Sequence, residues 1–203
     1  MKRRDFLRVT LVGGAAAAVA PLDLWGKGTG KSGFTLWQLP SQVDTIGNSF
    51  VFLTDKGRVV VMDGGMNDET LFLRGFIAAL GNEVEAWFTS HPHNDHVGAL
   101  TKILQKPDGM KINKVYHSRF SDSLLACEAP YQQYALDYYE ALDKSGIEVA
   151  NQTEPGLTGQ IDGLNFKILG VTNEEFRTNP YNNSSMIIRV WDKAKSLVFL
   201  GDA

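Results

Sequence analysis

The segment TSHPHNDHVGAL, residues 89–100, holds three of the chain's four histidines, His91, His93 and His96, with Asp95 directly before the last. Neutral imidazole and carboxylate are the usual protein ligands of zinc. His91 and His93 are two positions apart, so on a helix they would point about 200° away from each other, whereas alternate side chains of an extended segment share one side. The pair can grip one ion only if this stretch is not helical. Pro92 and Asn94 favour a loop, the run VEAWFT (84–89) reads as a buried strand before it, and VGALTKILQK (97–106) reads as a helix after it, ended by Pro107. The chain must therefore supply a strand–loop–helix junction, with Asp95 and His96 at the helix start, where a second ion could sit. The helical H-E-x-x-H zinc site, with histidines four apart, is a different arrangement.

The rest of the chain is consistent with an α/β domain. FTLWQL (34–39), SFVFLT (49–54) and RVVVMD (58–63) read as strands, with DKG (55–57) as a hairpin turn. Helical spacing appears in DETLFLRGFIAAL, with Asp68 as the expected N-cap and Gly81 as the stop. INKVYH (112–117), FKILG (166–170), MIIRVW (186–191) and SLVFLG (196–201) read as further strands, the last two joined through DKAK (192–195) as a hairpin. Between them, residues 123–145 place Tyr131, Tyr134, Tyr138 and Leu142 at helical spacing, which predicts a face packed on the sheet, a tyrosine stripe lining a substrate groove being the other reading. Strands alternating with helices predict helices layered on a sheet.

The first 28 residues stand apart. A basic start, a weakly apolar Leu/Val/Gly/Ala run and small residues at Ala16, Ala18 and Ala20 read as a cleavable export signal rather than a membrane span. RRDFLR resembles the twin-arginine export motif, which implies a periplasmic or secreted protein, with no membrane attachment after cleavage. Without residues 1–28, 15 basic and 21 acidic residues remain, a formal charge of −6. That balance does not suggest stable nucleic-acid binding through a basic face. The chain contains one cysteine, Cys127, which excludes an internal disulfide and a multi-cysteine zinc site.

H-x-H-x-D-H in a strand–loop–helix setting resembles the signature of the metallo-β-lactamase superfamily. Asp63, ending VVVMDGG, resembles an early aspartate that buttresses the metal loop in that fold; a plain turn aspartate is the other reading. Asp202, in LVFLGDA, resembles the aspartate that bridges two metals. YNNSSMIIRVWDKAKSLVFLGDA (181–203) is similar to the C-terminal hydrolase domain of bacterial competence DNA-uptake proteins. The resemblance spans residues 34–203 and implies an αββα sandwich, here its first half plus the strands up to Asp202. It also implies a second half with a further histidine ligand, so the chain is expected to be incomplete at its C-terminus, with a bare inner sheet face.

The same resemblance implies two divalent ions, zinc or manganese. His91 and His93 would hold one, Asp95 and His96 the other, and Asp202 both. A third histidine, common on the first ion, has no obvious counterpart; His117, Asn183 and Ser185 are the candidates for that side of the site. The implied activity is a metal-dependent hydrolase that attacks with a metal-activated hydroxide, Asp95 orienting the water. Phosphodiesters, as small molecules or oligonucleotides, are the expected substrates. A lactone or β-lactam hydrolase and a non-catalytic metal-binding protein are the alternatives.

Overall fold

Valine and aromatic runs dominate the strands because branched and ring side chains pack well on a pleated surface. The computed structural model describes residues 31–42 and 44–203. The expected export signal at residues 1–28 lies outside them. Gly33–Asp192 and Ser196–Ala203 form one compact unit.

One sheet contains β1 (Phe34–Gln38), β2 (Ser49–Thr54), β3 (Val59–Asp63), β4 (Glu83–Phe88), β5 (Lys111–Ile112), β6 (Lys114–His117) and β7 (Glu148–Asn151). Its order is β1-β2-β3-β4-β6-β7, with the short β5 beside β4. The first three strands run antiparallel; β3, β4, β6 and β7 are parallel. The second sheet contains β8 (Thr158–Ile161), β9 (Leu164–Gly170), β10 (Ile187–Trp191) and β11 (Ser196–Phe199), all antiparallel, in the order β11-β10-β9-β8.

The helices are α1 (Thr70–Ala79), α2 (Asn94–Gln105), α3 (Asp122–Leu125), α4 (Ala129–Lys144) and α5 (Pro180–Asn183). Side chains of β3 alternate between two cores, as strand periodicity requires. Val59 and Val61 join Trp87, Leu100, Ile103, Tyr138 and Leu142 beneath α1, α2 and α4. Val60 and Met62 join Phe52 and Phe88 against Phe166, Ile168, Ile188 and Val190 of the second sheet. All five residues of β3 are buried, as in a strand covered on both sides. The described residues thus form three layers: helices, a seven-stranded sheet and a four-stranded sheet.

Four expectations are corrected. The inner face of the first sheet is not bare, because strands β9 and β10 already cover Phe52 and Phe88, both 0% exposed. Asp68 caps no α-helix: it lies inside a 3-10 turn, Asn67–Glu69, and α1 starts at Thr70. Residues 112–117 are not one strand; Asn113 separates β5 from β6, its N–H bonding to Val84 O. The tyrosine face is split, since Tyr138 is buried under the sheet while Tyr131 and Tyr134 stay largely exposed.

Candidate metal centre

β4 delivers a rigid segment to the top of the sheet, and Thr89 still pairs with it through its N–H to Tyr116 O. Pro92 disfavours helix at His91, so residues 91–93 run extended until α2 begins at Asn94. His93 is the N-cap residue with φ −72 and ψ 148, and Asp95 stands in the first turn, where a carboxylate suits the helix dipole.

Two groups of donors converge. His91 Nε2 lies 3.0 Å from His93 Nδ1. His96 Nε2 lies 3.6 Å from Asp95 Oδ2 and 3.2 Å from Asp202 Oδ1. His91, His96 and Asp202 each present a ligand atom, all within 4.8 Å of one another. Asp202 thus stands next to both groups. It comes from the turn after β11, where Gly201 adopts φ +61 and a Cβ would meet Ser185 Oγ and Ser90 Cβ at 2.6 Å. Only glycine allows the backbone to come this close.

The far nitrogens are held by the protein. His96 Nδ1 donates to Asp63 Oδ2 at 2.9 Å. Asp63 also accepts the Ser90 backbone N–H through Oδ1 at 2.8 Å and the Ser90 hydroxyl through Oδ2 at 3.0 Å. With its hydrogen on Asp63, Ser90 Oγ is an acceptor for His91 Nδ1, 3.0 Å away; Ser185 Oγ lies on the same nitrogen at 3.1 Å. His91 Nε2 then keeps its lone pair for the centre. His93 Nε2 meets Glu128 Oε2 at 3.0 Å.

Burial pushes the His91 pKa well below its ordinary value, and the neighbouring His96 and His93 push the same way, so its imidazole is neutral. His96 differs: burial opposes charge, but Asp63, Asp202 and Asp95 prevail and raise its pKa to about 10. His96 holds the Asp202 carboxyl below the usual carboxylate range. Three carboxylates around one buried imidazole are a strongly anionic pocket that suits a cation.

The remaining candidates separate. Asp63 is buried and bonds both Ser90 and His96. Ser185 touches His91. Asn183 is exposed and donates its amide to Thr178 O. His117 is not in the cluster; it is buried at the end of β6 between Tyr138 and Tyr139, and its Nδ1 has no partner. Sequence reasoning missed Ser90, Glu128 and Asn182. The side chain of Asn182 acts on His91, and its buried Oδ1 lacks a hydrogen-bond partner. An unpartnered buried oxygen beside His91 fits a centre that takes a cation.

Residues 43–203 match the profile of the metallo-beta-lactamase superfamily. No curated protein matches the chain. A metallo-beta-lactamase with a HARLDQ motif from Cronobacter sakazakii superposes with a TM-score of 0.53 at 14% identity, over 88% of this chain and 64% of that one. A mutant of that protein gives 0.53 at 13%, over 86% and 63%. The metallo-beta-lactamase fold protein YhfI from Bacillus subtilis gives 0.49 at 15%, over 81% and 61%. The chain therefore spans under two thirds of the length of these structures, and at 13% and 14% identity the two Cronobacter structures speak to the fold alone. With the profile covering most of the sequence and the histidine loop inside it, the chain belongs to the metallo-beta-lactamase superfamily.

Proposed function

We propose that the protein is a metal-dependent hydrolase with a two-ion centre, acting on phosphodiesters. The observation that carries this reading is the convergence of His91 Nε2 with His93 Nδ1, beside His96 Nε2 with Asp95 and Asp202. Members of the superfamily bind divalent metals, usually zinc. His91 and His93 would hold one ion, Asp95 and His96 the other, and Asp202 would serve both. The bound ions would supply Lewis acidity and a water of lowered pKa.

The chain's own residues do the rest. Asp95, 16% exposed, is open enough to accept a hydrogen bond from a water and orient it. Asp63 and Ser90 hold His96 and His91 so that their Nε2 atoms face inward. Tyr131, close to the His93 ring and half exposed, gives the mouth an aromatic wall.

Phosphodiester chemistry and export rest on resemblance: the 181–203 segment to competence-type hydrolases, and RRDFLR to the twin-arginine signal. The acidic chain favours small diesters or short oligonucleotides over long DNA. The test is turnover of a chromogenic phosphodiester and a chromogenic cephalosporin by protein loaded with zinc or manganese. Diester hydrolysis that is lost in His93→Ala is the expected result. Activity on the cephalosporin alone overturns the substrate class, and metal binding with no hydrolysis of either points to a non-catalytic relative.

A further inference from the structure

The His93 ring reaches the centre through one nitrogen only. Its Nδ1 faces His91 Nε2 at 3.0 Å, and its Nε2 faces Glu128 Oε2 at 3.0 Å on the opposite edge. A neutral imidazole carries one N–H, and an ionised carboxylate can only accept. The Glu128 contact therefore puts a hydrogen on Nε2, and with an ion at the centre Nδ1 offers it the ring's lone pair. The ring is also clamped, with Tyr181 stacked at 5.0 Å and 28° and Tyr131 edge-on at 4.7 Å. Glu128 closes a 3-10 turn, Ala126–Glu128, that leads into α4. Its side chain is 13% exposed. Its other oxygen, Oε1, accepts the Tyr181 N–H at 2.8 Å. One carboxylate thus bonds both the histidine loop and the start of α5, which carries Asn182.

We propose that Glu128 is the positioning residue for the His91–His93 ion: it fixes His93 as the Nε2–H form and aims Nδ1 at the centre. This rests on the metal-binding reading above. Carboxylates that orient a metal-binding histidine matter for affinity nearly as much as the ligands do. If Glu128 only tied down Tyr181, a glutamine would serve equally well. It would not serve here. An amide offers one acceptor where the carboxylate uses two, so Glu128→Gln leaves either His93 or Tyr181 facing an N–H donor.

The experiment uses the full chain. Long-range ¹⁵N correlation NMR reads the His93 form in metal-free protein, and competition against a chromogenic chelator reads zinc affinity. Wild type should show a hydrogen on His93 Nε2, and Glu128→Gln should show that hydrogen partly lost to Nδ1. Its zinc affinity should fall about 10- to 100-fold, with far-UV circular dichroism unchanged. The inference is overturned if His93 Nε2 in wild type carries no hydrogen, or if folded Glu128→Gln binds zinc as wild type does. Should the variant fail to fold, the wild-type spectrum still decides. Wild type that binds no zinc would instead sink the metal reading, which the metal-free spectrum does not depend on.

Discussion

Asp63 shows how much one carboxylate can organise. It stands at φ 55, a left-handed conformation that aspartate tolerates better than most residues. From there it takes three hydrogen bonds from Ser90 and His96, and its carbonyl accepts the Trp87 Nε1–H at 2.9 Å. His117 makes a contrasting case of a histidine with no part in the centre. Burial, reinforced by Arg119 and opposed by Asp143, brings its pKa down to about 4. Its folded pKa is below the unfolded value of about 6.5, so the unfolded chain binds more protons between the two. The contribution is present above about pH 6.5, is lost as pH falls toward 4, and amounts to about 3 kcal/mol in full. Urea unfolding of wild type and His117→Phe at pH 7 and pH 4.5 should show the wild type losing more stability on acidification. Equal losses would mean that His117 is hydrated. The histidine pattern and its strand-loop-helix setting were legible in the sequence because their spacing is local. Ser90, Glu128 and Asn182 were not, because a polar residue's role is set by partners tens of positions away.

At the scale of elements, hydrophobic runs identified most of the strands, the half-exposed β11 among them, and failed for two. β7 and β8 went unseen: EVAN and TGQI lie mostly exposed and carry no clear alternation. The junction from β4 to α2 was readable because Pro92 forbids the helix from starting early. Gly98, on α2, is a constraint that period conceals. A Cβ there would meet Asn67 N at 2.6 Å and Asn94 Oδ1 at 2.7 Å. Alanine would gain about 1 kcal/mol of helix propensity, but overpacking against backbone costs roughly 1–3 kcal/mol. Gly98→Ala should therefore destabilise by about 1 kcal/mol and weaken zinc binding, as α2 shifts with His96 on it. A variant more stable than wild type in chemical unfolding would refute the close approach.

Taken whole, the molecule is a helix layer over two sheets whose shared core contains Phe52, Phe88, Phe166 and Ile188. The layering followed from the alternation of strands and helices. The pairing of the second sheet against the first did not, because long-range strand contacts leave no local trace. The centre lies at the seam. Met186, just before β10, donates its N–H to Ser90 O at 2.7 Å, and Asp202 follows β11. On the proposed metal-binding reading, His91 and Asp202, on either side of that seam, would make a bound ion a cross-link. Holding His91 to Asp202 closes a loop of more than a hundred residues, and such a closure restrains the opened chain as a covalent staple would. Zinc should slow amide hydrogen exchange in β10 and β11 more than in β1 and β2, and a chelator should reverse it. Uniform slowing would place the ion on the histidine loop alone. The last strand of the second sheet would then owe its permanence less to its own few hydrogen bonds than to a single atom at its end, which makes metal supply a control on how long the protein lasts as well as on what it can do.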